Sequence, residues 1–251
     1  MLKTKNMNAI NKIFYRFYRI FFISLSISTS LMAQNDNVPW VSLLNGRNLD
    51  GWKIVGSKGI ALIRDEAITC NMTVNTPEHT FVCSNEKYGD FILEMDVKTD
   101  SIYNTGILIR CVDAQKNVDS TKVRLYGYQV KIDPTPRKWT GGIFDDYGKT
   151  WHWFYSLVND SRAREAYSIG KWNHFRIEAI GANIKVWVNG IPTTNMINHK
   201  YASGYIALKI HALGNKPEQE KIFGQFKNIR IINKNPEKYL QQMDIKAIEV
   251  Q

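Results

Sequence analysis

The chain has 251 residues, of which 33 are lysine or arginine and 23 are aspartate or glutamate, and its formal net charge at pH 7 is +10. Five basic residues and no acidic ones fall within the first 33 positions, so the remaining 218 residues carry 28 basic and 23 acidic side chains without a basic tract. This excludes the clustered basic footprint of a nucleic-acid-binding protein, and three cysteines are too few for a disulfide scaffold.

The first 33 residues have the pattern of a secretory signal peptide. Five lysines and arginines precede an apolar run at 20–31, and Ala33 is a small residue suited to cleavage. The run is short and rich in serine, which does not favour a membrane span, and no cysteine follows closely to carry a lipid anchor. We expect an exported protein, periplasmic or secreted, without a stable membrane anchor. The predicted organisation is a signal peptide at 1–33, one domain at 34–235 and a helical or frayed C-terminal tail at 236–251.

The remainder of the chain reads as a series of short strands separated by turn signals, without a long amphipathic helix. Phe91, Leu93, Met95 and Val97 alternate with mostly charged residues, which indicates a strand with one buried face. This pattern predicts an all-β sandwich. The predicted strands are 60–63, 67–74, 80–84, 91–98, 106–112, 127–132, 141–144, 173–180, 183–188, 204–211 and 226–232.

Two local features add detail to this expectation. Asn189-Gly190 follows a strand and is typical of a tight hairpin turn, because both residues tolerate positive φ. Cys70 and Cys83 lie in segments that flank Asn75-Thr76-Pro77. A disulfide across a hairpin and a pair of buried free thiols are both consistent with this spacing.

Two predicted strands each place hydrogen-bonding side chains on one face. In 127–133, Gln129, Lys131 and Asp133 share the face opposite Tyr128. In 204–211, the corresponding polar residues are Tyr205, Lys209 and His211. A solvated face would also be polar, but it rarely gathers Gln, Asp, His and Tyr. Two such strands in one sheet predict a polar floor able to hold a polyhydroxylated ligand.

The segment 145–166 is rich in aromatic and charged residues and lacks strand periodicity. We predict a long loop, with at most a helical turn, that borders the polar floor. Its candidate aromatic contacts with a ligand are Trp151, Trp153 or Tyr155. Asp145 is a polar candidate from the same segment, and Trp139 is added from the preceding turn.

Nine motifs in order resemble one family. The chain is similar to the 3-keto-disaccharide hydrolase family of the concanavalin A-like lectin/glucanase superfamily, long catalogued as a domain of unknown function. The motifs are LLNGRNLDGW at 43–52, YGDFILE at 88–94, NTGILIR at 104–110, GYQVKID at 127–133, TGGIF at 140–144, WNHFRIE at 172–178, VNG at 188–190, GYIALKIH at 204–211 and FKNIRI at 226–231.

The resemblance implies a concanavalin A-like jelly-roll sandwich of two antiparallel sheets, with the ligand on the concave sheet. It also implies an exported enzyme that acts on glycosides already oxidised at C3. The family's functional positions would fall on Arg110, Gln129, Asp133 and His211. Aromatic walls would come from Tyr128, Trp139 and the region from Trp151 to Trp153.

The chain departs from the family pattern at two positions. Family members often have an acidic residue or glutamine where this chain has Lys131, and glutamine where it has Lys209. If the acidic residue at position 131 is a base or a metal ligand, this chain has lost it. A non-catalytic carbohydrate-binding module is therefore the alternative to an enzyme.

The chemistry of a 3-keto-glycoside defines the groups that an enzyme needs. The ketone acidifies the hydrogen on C2, so removal of that proton leads to β-elimination of the C1 substituent, and hydration completes a net hydrolysis. His211 or Asp133 could be the base, and Arg110, Lys131 or Lys209 could stabilise the enolate. Lys209 beside His211 would favour the neutral imidazole.

A divalent cation could replace the cationic side chains, and the candidate ligands are Asp133, Asp145, Asp146 and His211. Each residue also has a structural interpretation: a histidine at a strand end, an arginine paired with a carboxylate, a tryptophan in the core or an aspartate in a polar turn.

Overall fold

The computed structural model describes residues 38–56, 58–71, 75, 78–100, 102–113, 125–145, 152–212, 215–216 and 222–251. Strands dominate this part of the chain, as the alternating apolar pattern predicts. In chain order they are β1 (Val41–Ser42), β2 (Trp52–Gly56), β3 (Ile60–Arg64), β4 (Ala67–Asn71), β5 (Thr80–Tyr88), β6 (Phe91–Thr99), β7 (Thr105–Asp113), β8 (Leu125–Ile132), β9 (Ile143–Asp145), β10 (His152–Tyr155), β11 (Asn173–Ile180), β12 (Asn183–Val188), β13 (Ile191–Ile197), β14 (Gly204–Ile210), β15 (Phe223–Ile232) and β16 (Ile248–Glu249).

The strands form two sheets that pack face to face. One sheet has the order β16-β13-β12-β11-β6-β15-β4-β3, with β1 also paired to β15. The other has the order β10-β9-β8-β7-β14-β5-β2. All described pairings are antiparallel except that of β13 with β16. The predicted all-β sandwich of two antiparallel sheets is confirmed.

The core lies between the sheets and follows the alternation of the strands. Phe91, Leu93, Met95 and Val97 of β6 all enter the apolar core, whereas Glu94 lies on the outer face among charged residues. Burial of one such side chain stabilises the fold by about 1.5–3 kcal/mol. The sequence pattern of this strand therefore determines which face of its sheet meets the partner sheet.

The hairpin between β12 and β13 has the predicted turn, since Asn189 has φ +51° and Gly190 has φ +78°. The disulfide alternative for Cys70 and Cys83 is wrong: both thiols are buried and neither is in a disulfide, and the two strands that carry them belong to different sheets. Burial raises the pKa of Cys70 to about 12.

Two predicted irregular segments contain more structure than expected. Within 145–166, β10 pairs with β9, and the short helix Ser161–Arg164 is capped by Asp160, whose Oδ1 accepts from the Ala163 amide at 2.9 Å. The prediction of a loop without strands was therefore wrong, although its helical turn is present.

The C-terminal tail begins with a 3₁₀ helix, Pro236–Tyr239, and ends in β16 rather than fraying. Side chains of the sheet hold it in place, for example Asn198, which donates to the Val250 carbonyl at 2.8 Å. Pro39–Gln251 forms one compact unit. The predicted signal peptide lies outside the described residues. Among those that are described, no helix has the length and apolar character needed to cross a membrane.

Candidate functional site

Polar side chains of β8 and β14 meet on the outer face of the seven-stranded sheet, with β7 between the two strands. Gln129, Lys131 and Lys209 are 0%, 7% and 2% exposed, so this is a buried polar floor and not a solvated surface. Lys209 Nζ donates to Gln129 Oε1 at 3.3 Å. The predicted pairing of the two polar strand faces is therefore present in the structure.

Gly106 of β7 makes room for this floor. It pairs with Lys131 across the β7–β8 ladder, and a Cβ at position 106 would lie 2.6 Å from the Gln129 Cγ. Any larger residue would push the Gln129 amide out of place. The glycine of the NTGILIR motif thus has a steric role directly beneath the candidate site.

A pocket of about 200 Å³ lies on this floor. Its walls come from β9, β10, the turn after β8, and the segments that precede β5 and β7 and follow β14. The lining residues are His79, Asn104, Lys131, Arg137, Phe144, Trp153, Lys209 and His211. Polar groups and aromatic rings together match the surface of a sugar, which has hydroxyl groups at its edge and an apolar face.

Two histidines form one wall of the pocket. The rings of His79 and His211 have centroids 4.6 Å apart and an interplanar angle of 59°. The backbone of Ala212 contacts both: its N–H donates to His79 Nδ1 at 2.9 Å, and its carbonyl oxygen accepts from His211 Nδ1 at 2.7 Å. These hydrogen bonds fix the orientation of both imidazoles.

The turn between β8 and β9 presents Arg137 to the pocket. Asp133 organises this turn: its backbone N–H donates to Thr140 Oγ1 at 2.8 Å, and its Oδ1 accepts from Thr135 Oγ1 at 2.7 Å. Its Oδ2 accepts from Arg137 Nε at 2.7 Å. Because its side chain is fully buried and engaged in this way, Asp133 does not line the pocket but positions Arg137, which does.

Aromatic rings form another part of the pocket wall. The Trp139 and Trp153 rings meet edge to face with their centroids 4.9 Å apart. The guanidinium carbon of Arg137 lies 5.0 Å from the Trp139 ring centroid and 5.1 Å from that of Trp153. Lys131 Nζ lies 5.6 Å from the Phe144 ring centroid. Trp153 lines the pocket as predicted, whereas Trp139 contacts the Trp153 ring without lining the pocket, and Tyr155 packs against the apolar core.

Arg110 was predicted at the edge of this pocket, but the structure places it elsewhere. The register of the β7–β8 pairing shifts between Ile109 and Val112, and Arg110 has φ +50°. The alternation of side chains along β7 therefore breaks at a bulge. The guanidinium donates to the carbonyls of Gly89 and Gly181 at 2.9 and 2.6 Å and pairs with Asp90 at 3.1 Å. Burial lowers the pKa of Arg110, and Asp90 opposes this shift. Arg110 is a structural residue.

Tyr128 was also predicted as a pocket wall, and this too is corrected. Its ring lies in the core between the sheets, and its hydroxyl donates to Asn198 Oδ1 at 2.6 Å. Burial raises the pKa of this phenol. The phenol faces away from the pocket because alternation along β8 places it on the face opposite Gln129 and Lys131, and Lys131 lines the pocket.

Asp145 pairs with Tyr128 across the β8–β9 ladder and therefore shares its face. Its carboxylate contacts Lys200 Nζ at 2.5 Å and His152 Nδ1 at 3.9 Å. It does not line the pocket. Trp151 and Asp146, the other candidates from this segment, lie outside the described residues.

Three of the four candidate ligands of a divalent cation, Asp133, Asp145 and His211, are among the described residues, and these three are not brought together. Asp133 holds Arg137, Asp145 holds Lys200, and only His211 lines the pocket. In the part of the chain that the structure describes, no group of three or more metal-ligating side chains is present. The three described candidates therefore do not form a ligand set for a divalent cation.

Sequence reasoning missed four lining residues, namely His79, Asn104, Arg137 and Phe144. The register could have suggested Phe144, because it pairs with Gln129 across the β8–β9 ladder. The other three precede or follow strands, where no periodicity indicates direction. Asn104 Oδ1 is buried without a hydrogen-bond partner among the described residues, which makes it an acceptor suited to a ligand hydroxyl.

Solved structures with the same architecture support the fold. A protein of Parabacteroides distasonis, named as a candidate glycosyl hydrolase, is similar with a TM-score of 0.53 at 20% identity, over 78% of this chain and 99% of that one. A second such protein of that organism gives 0.52 at 14%, over 78% and 94%. A protein of unknown function with a galectin-like fold, from Bacillus subtilis, gives 0.51 at 9%, over 74% and 90%. At these identities the likeness shows the fold alone.

No curated relative matches the chain. The model of the 3-keto-alpha-glucoside-1,2-lyase-like domain, in contrast, matches residues 39–232 and so covers nearly the whole sandwich. The resemblance seen in the nine motifs is confirmed. The chain belongs to the 3-keto-alpha-glucoside-1,2-lyase-like family of carbohydrate-active domains.

Proposed function

We propose that the protein is an exported enzyme that cleaves 3-keto-glycosides by deprotonation at C2, β-elimination of the C1 substituent and hydration. The observation that carries this proposal is a histidine with an assigned tautomer, His211, in a pocket that also contains two buried lysines. Family membership supports the substrate class. The basic and then apolar pattern of the first 33 residues supports export.

The base is His211. Its Nδ1 lies 2.7 Å from the Ala212 carbonyl oxygen, which can only accept, so Nδ1 carries the proton. Nε2 is then the nitrogen that takes a proton from substrate, and the imidazolium that results keeps its hydrogen bond to Ala212. This is the arrangement of a general base whose second nitrogen is oriented by a fixed acceptor.

Lys131 and Lys209 can stabilise the negative charge that develops on the substrate after deprotonation. Removal of the C2 proton places negative charge on the C3 oxygen, and Lys131 and Lys209 lie in the same pocket as His211. Both lysines are almost fully buried, and electrostatic stabilisation is stronger in such surroundings than in water. Asp133, a candidate base from the sequence, is better explained as the group that holds Arg137.

A carbohydrate-binding protein without turnover is the second candidate. The described residues that line the pocket include no carboxylate. Lys131 stands where members of the family often have an acidic residue or glutamine. If that acidic residue is essential in the family, this chain retains the sugar pocket and has lost the reaction.

The two candidates are separated by incubating the protein with a synthetic 3-keto-disaccharide and measuring release of the leaving sugar. We expect turnover by the wild type and a loss of at least about a hundredfold in His211→Ala, the usual scale for a general base. His199→Ala is the matched control, because His199 is exposed and does not line the pocket. Saturable binding without product from the wild type would support the binding protein instead.

A further inference from the structure

His79 and His211 line the same part of the pocket, and both form a hydrogen bond with the backbone of Ala212. The two hydrogen bonds run in opposite directions. The Ala212 N–H donates to His79 Nδ1 at 2.9 Å, so Nδ1 of His79 carries a lone pair. The Ala212 carbonyl accepts from His211 Nδ1 at 2.7 Å, so Nδ1 of His211 carries a proton. One residue of backbone thus assigns opposite tautomers to two neighbouring imidazoles.

The consequence appears at the second nitrogen of each ring. A neutral His79 with a lone pair on Nδ1 has its proton on Nε2 and is a hydrogen-bond donor there. His211 has its proton on Nδ1 and is a proton acceptor at Nε2. The wall therefore combines one donor and one base, and the ring centroids are only 4.6 Å apart.

We propose that His79 acts as a neutral hydrogen-bond donor from Nε2 to the C3 oxygen of the substrate, while His211 takes the proton from C2. This inference rests on the proposed function and adds a second catalytic residue to it. The carbons C2 and C3 are joined by a bond of about 1.5 Å. Two imidazoles at this separation are therefore spaced to address neighbouring atoms of one sugar ring.

Water is the only reactant needed besides the substrate. The C2 proton moves to His211 Nε2, and the electron pair of the C2–H bond forms the enolate, whose charge lies on the C3 oxygen. His79 stabilises that oxygen by a hydrogen bond and keeps its proton. The C1–O bond then breaks as the C1–C2 double bond forms and the C3 carbonyl is restored. The leaving oxygen takes the proton from His211, and water then adds across the double bond, with its oxygen at C1 and its hydrogen at C2.

His79 is a donor and not a proton-transfer acid for two reasons. Loss of a proton from a neutral imidazole would produce an imidazolate, and gain of one on Nδ1 would set two N–H groups against each other at Ala212. The charged groups that line the same pocket are Lys131, Lys209 and Arg137, all cationic, and they oppose a second positive ring. A neutral histidine that polarises a carbonyl needs no proton of its own to move.

Two substitutions of His79 distinguish the donor function of Nε2 from the hydrogen bond that Nδ1 accepts from Ala212. His79→Gln keeps an N–H near the position of Nε2, whereas His79→Asn keeps an acceptor near Nδ1 for the Ala212 N–H and has no donor in the pocket. Loss of one oxyanion donor costs about 10²–10³ in kcat. We expect His79→Asn to lose about that factor and His79→Gln to retain activity within about tenfold of the wild type. Equal activity of His79→Asn and the wild type would overturn the inference, and so would equal loss in both variants.

A measurement independent of activity tests the tautomers directly. ¹⁵N-resolved NMR of histidine-labelled wild type at pH 7 is expected to show the proton of His79 on Nε2 and that of His211 on Nδ1. An imidazolium, or the opposite tautomer, at His79 would overturn the inference while leaving turnover by His211 intact. A wild type that neither cleaves a 3-keto-disaccharide nor exchanges its C2 hydrogen with solvent would overturn the proposed function and this inference together.

Discussion

The pair formed by Asp133 and Arg137 should respond unequally to the loss of either partner. The Asp133 side chain is fully buried, whereas that of Arg137 is 42% exposed. Arg137→Ala leaves a buried carboxylate with the hydroxyl and amide of Thr135 as its described partners, while Asp133→Ala leaves a guanidinium that water can solvate. Removal of the more exposed residue should therefore destabilise the protein more.

The magnitudes follow from the burial of the residue that remains. An uncompensated buried charge costs about 3–5 kcal/mol of stability. Because Thr135 still donates to Asp133, we expect Arg137→Ala to lose about 3 kcal/mol. Asp133→Ala loses hydrogen bonds to a partly solvated partner, at about 1–2 kcal/mol. For a chain of this length, 1 kcal/mol shifts Tm by about 2–4 °C. The difference of about 1–2 kcal/mol predicts that Arg137→Ala melts about 2–8 °C below Asp133→Ala.

Thermal unfolding of the two single variants and of the double variant tests this reasoning. The double variant has no orphaned charge, so it should be more stable than Arg137→Ala alone. Both single variants should raise KM for a 3-keto-disaccharide, because the arginine is lost or released from its position. Asp133→Ala less stable than Arg137→Ala, or a double variant whose losses simply add, would refute the assignment of Asp133 as the buried anchor of Arg137.

Three further predictions concern other parts of the sandwich. Contact with Glu94 is the main cause that raises the pKa of His174 above 6.5. The stability that protonated His174 gives to the fold is therefore complete below pH 6.5 and is lost as the pH rises through the folded pKa. His174→Gln should therefore flatten the dependence of Tm on pH above 6.5, and an unchanged slope would contradict this. Tyr128→Phe removes the bond to Asn198 and should lower the free energy of unfolding by about 1–2 kcal/mol without changing KM, whereas an altered KM would restore Tyr128 as a binding residue. Lys131→Glu should abolish turnover while Lys131→Met retains part of it, and a gain of activity in Lys131→Glu would contradict the role given to the lysine.

Glu94, on the outer face of the nine-stranded sheet, also makes the stability of the protein depend on pH in the acid range. Burial raises the pKa of Glu94, but hydrogen bonds from His174, Arg230 and Arg176 outweigh it and bring the pKa to about 2. The stabilisation by this carboxylate is present above pH 4.5 and is lost as the pH falls towards 2.

The long alternating strands could be predicted from the sequence because burial on one face imposes a period of two. The segments at 173–180 and 183–188 coincide with β11 and β12. By contrast, β13 was missed because it has proline at its second position and three consecutive polar residues, Thr193, Thr194 and Asn195, all buried by tertiary contacts. β10 was missed because four residues at a sheet edge are too few to show a period.

The candidate site was predictable where strands carry it and not where turns do. Alternation placed Gln129, Lys131 and Lys209 correctly on one face. It failed at Arg110, because a bulge with positive φ redirects the side chain and leaves no signal in the local pattern. His79 depends on a backbone contact with Ala212, 133 residues away, which only the folded chain reveals.

The central claim is that the reaction begins with removal of the hydrogen on C2. The most direct measurement uses a 3-keto-disaccharide with deuterium at C2 and follows that label in the released keto sugar by mass spectrometry and NMR. The account predicts release of the leaving sugar, a primary isotope effect on kcat/KM and a product whose C2 carries hydrogen from solvent. Cleavage with the deuterium retained at C2, or binding without cleavage, would contradict it.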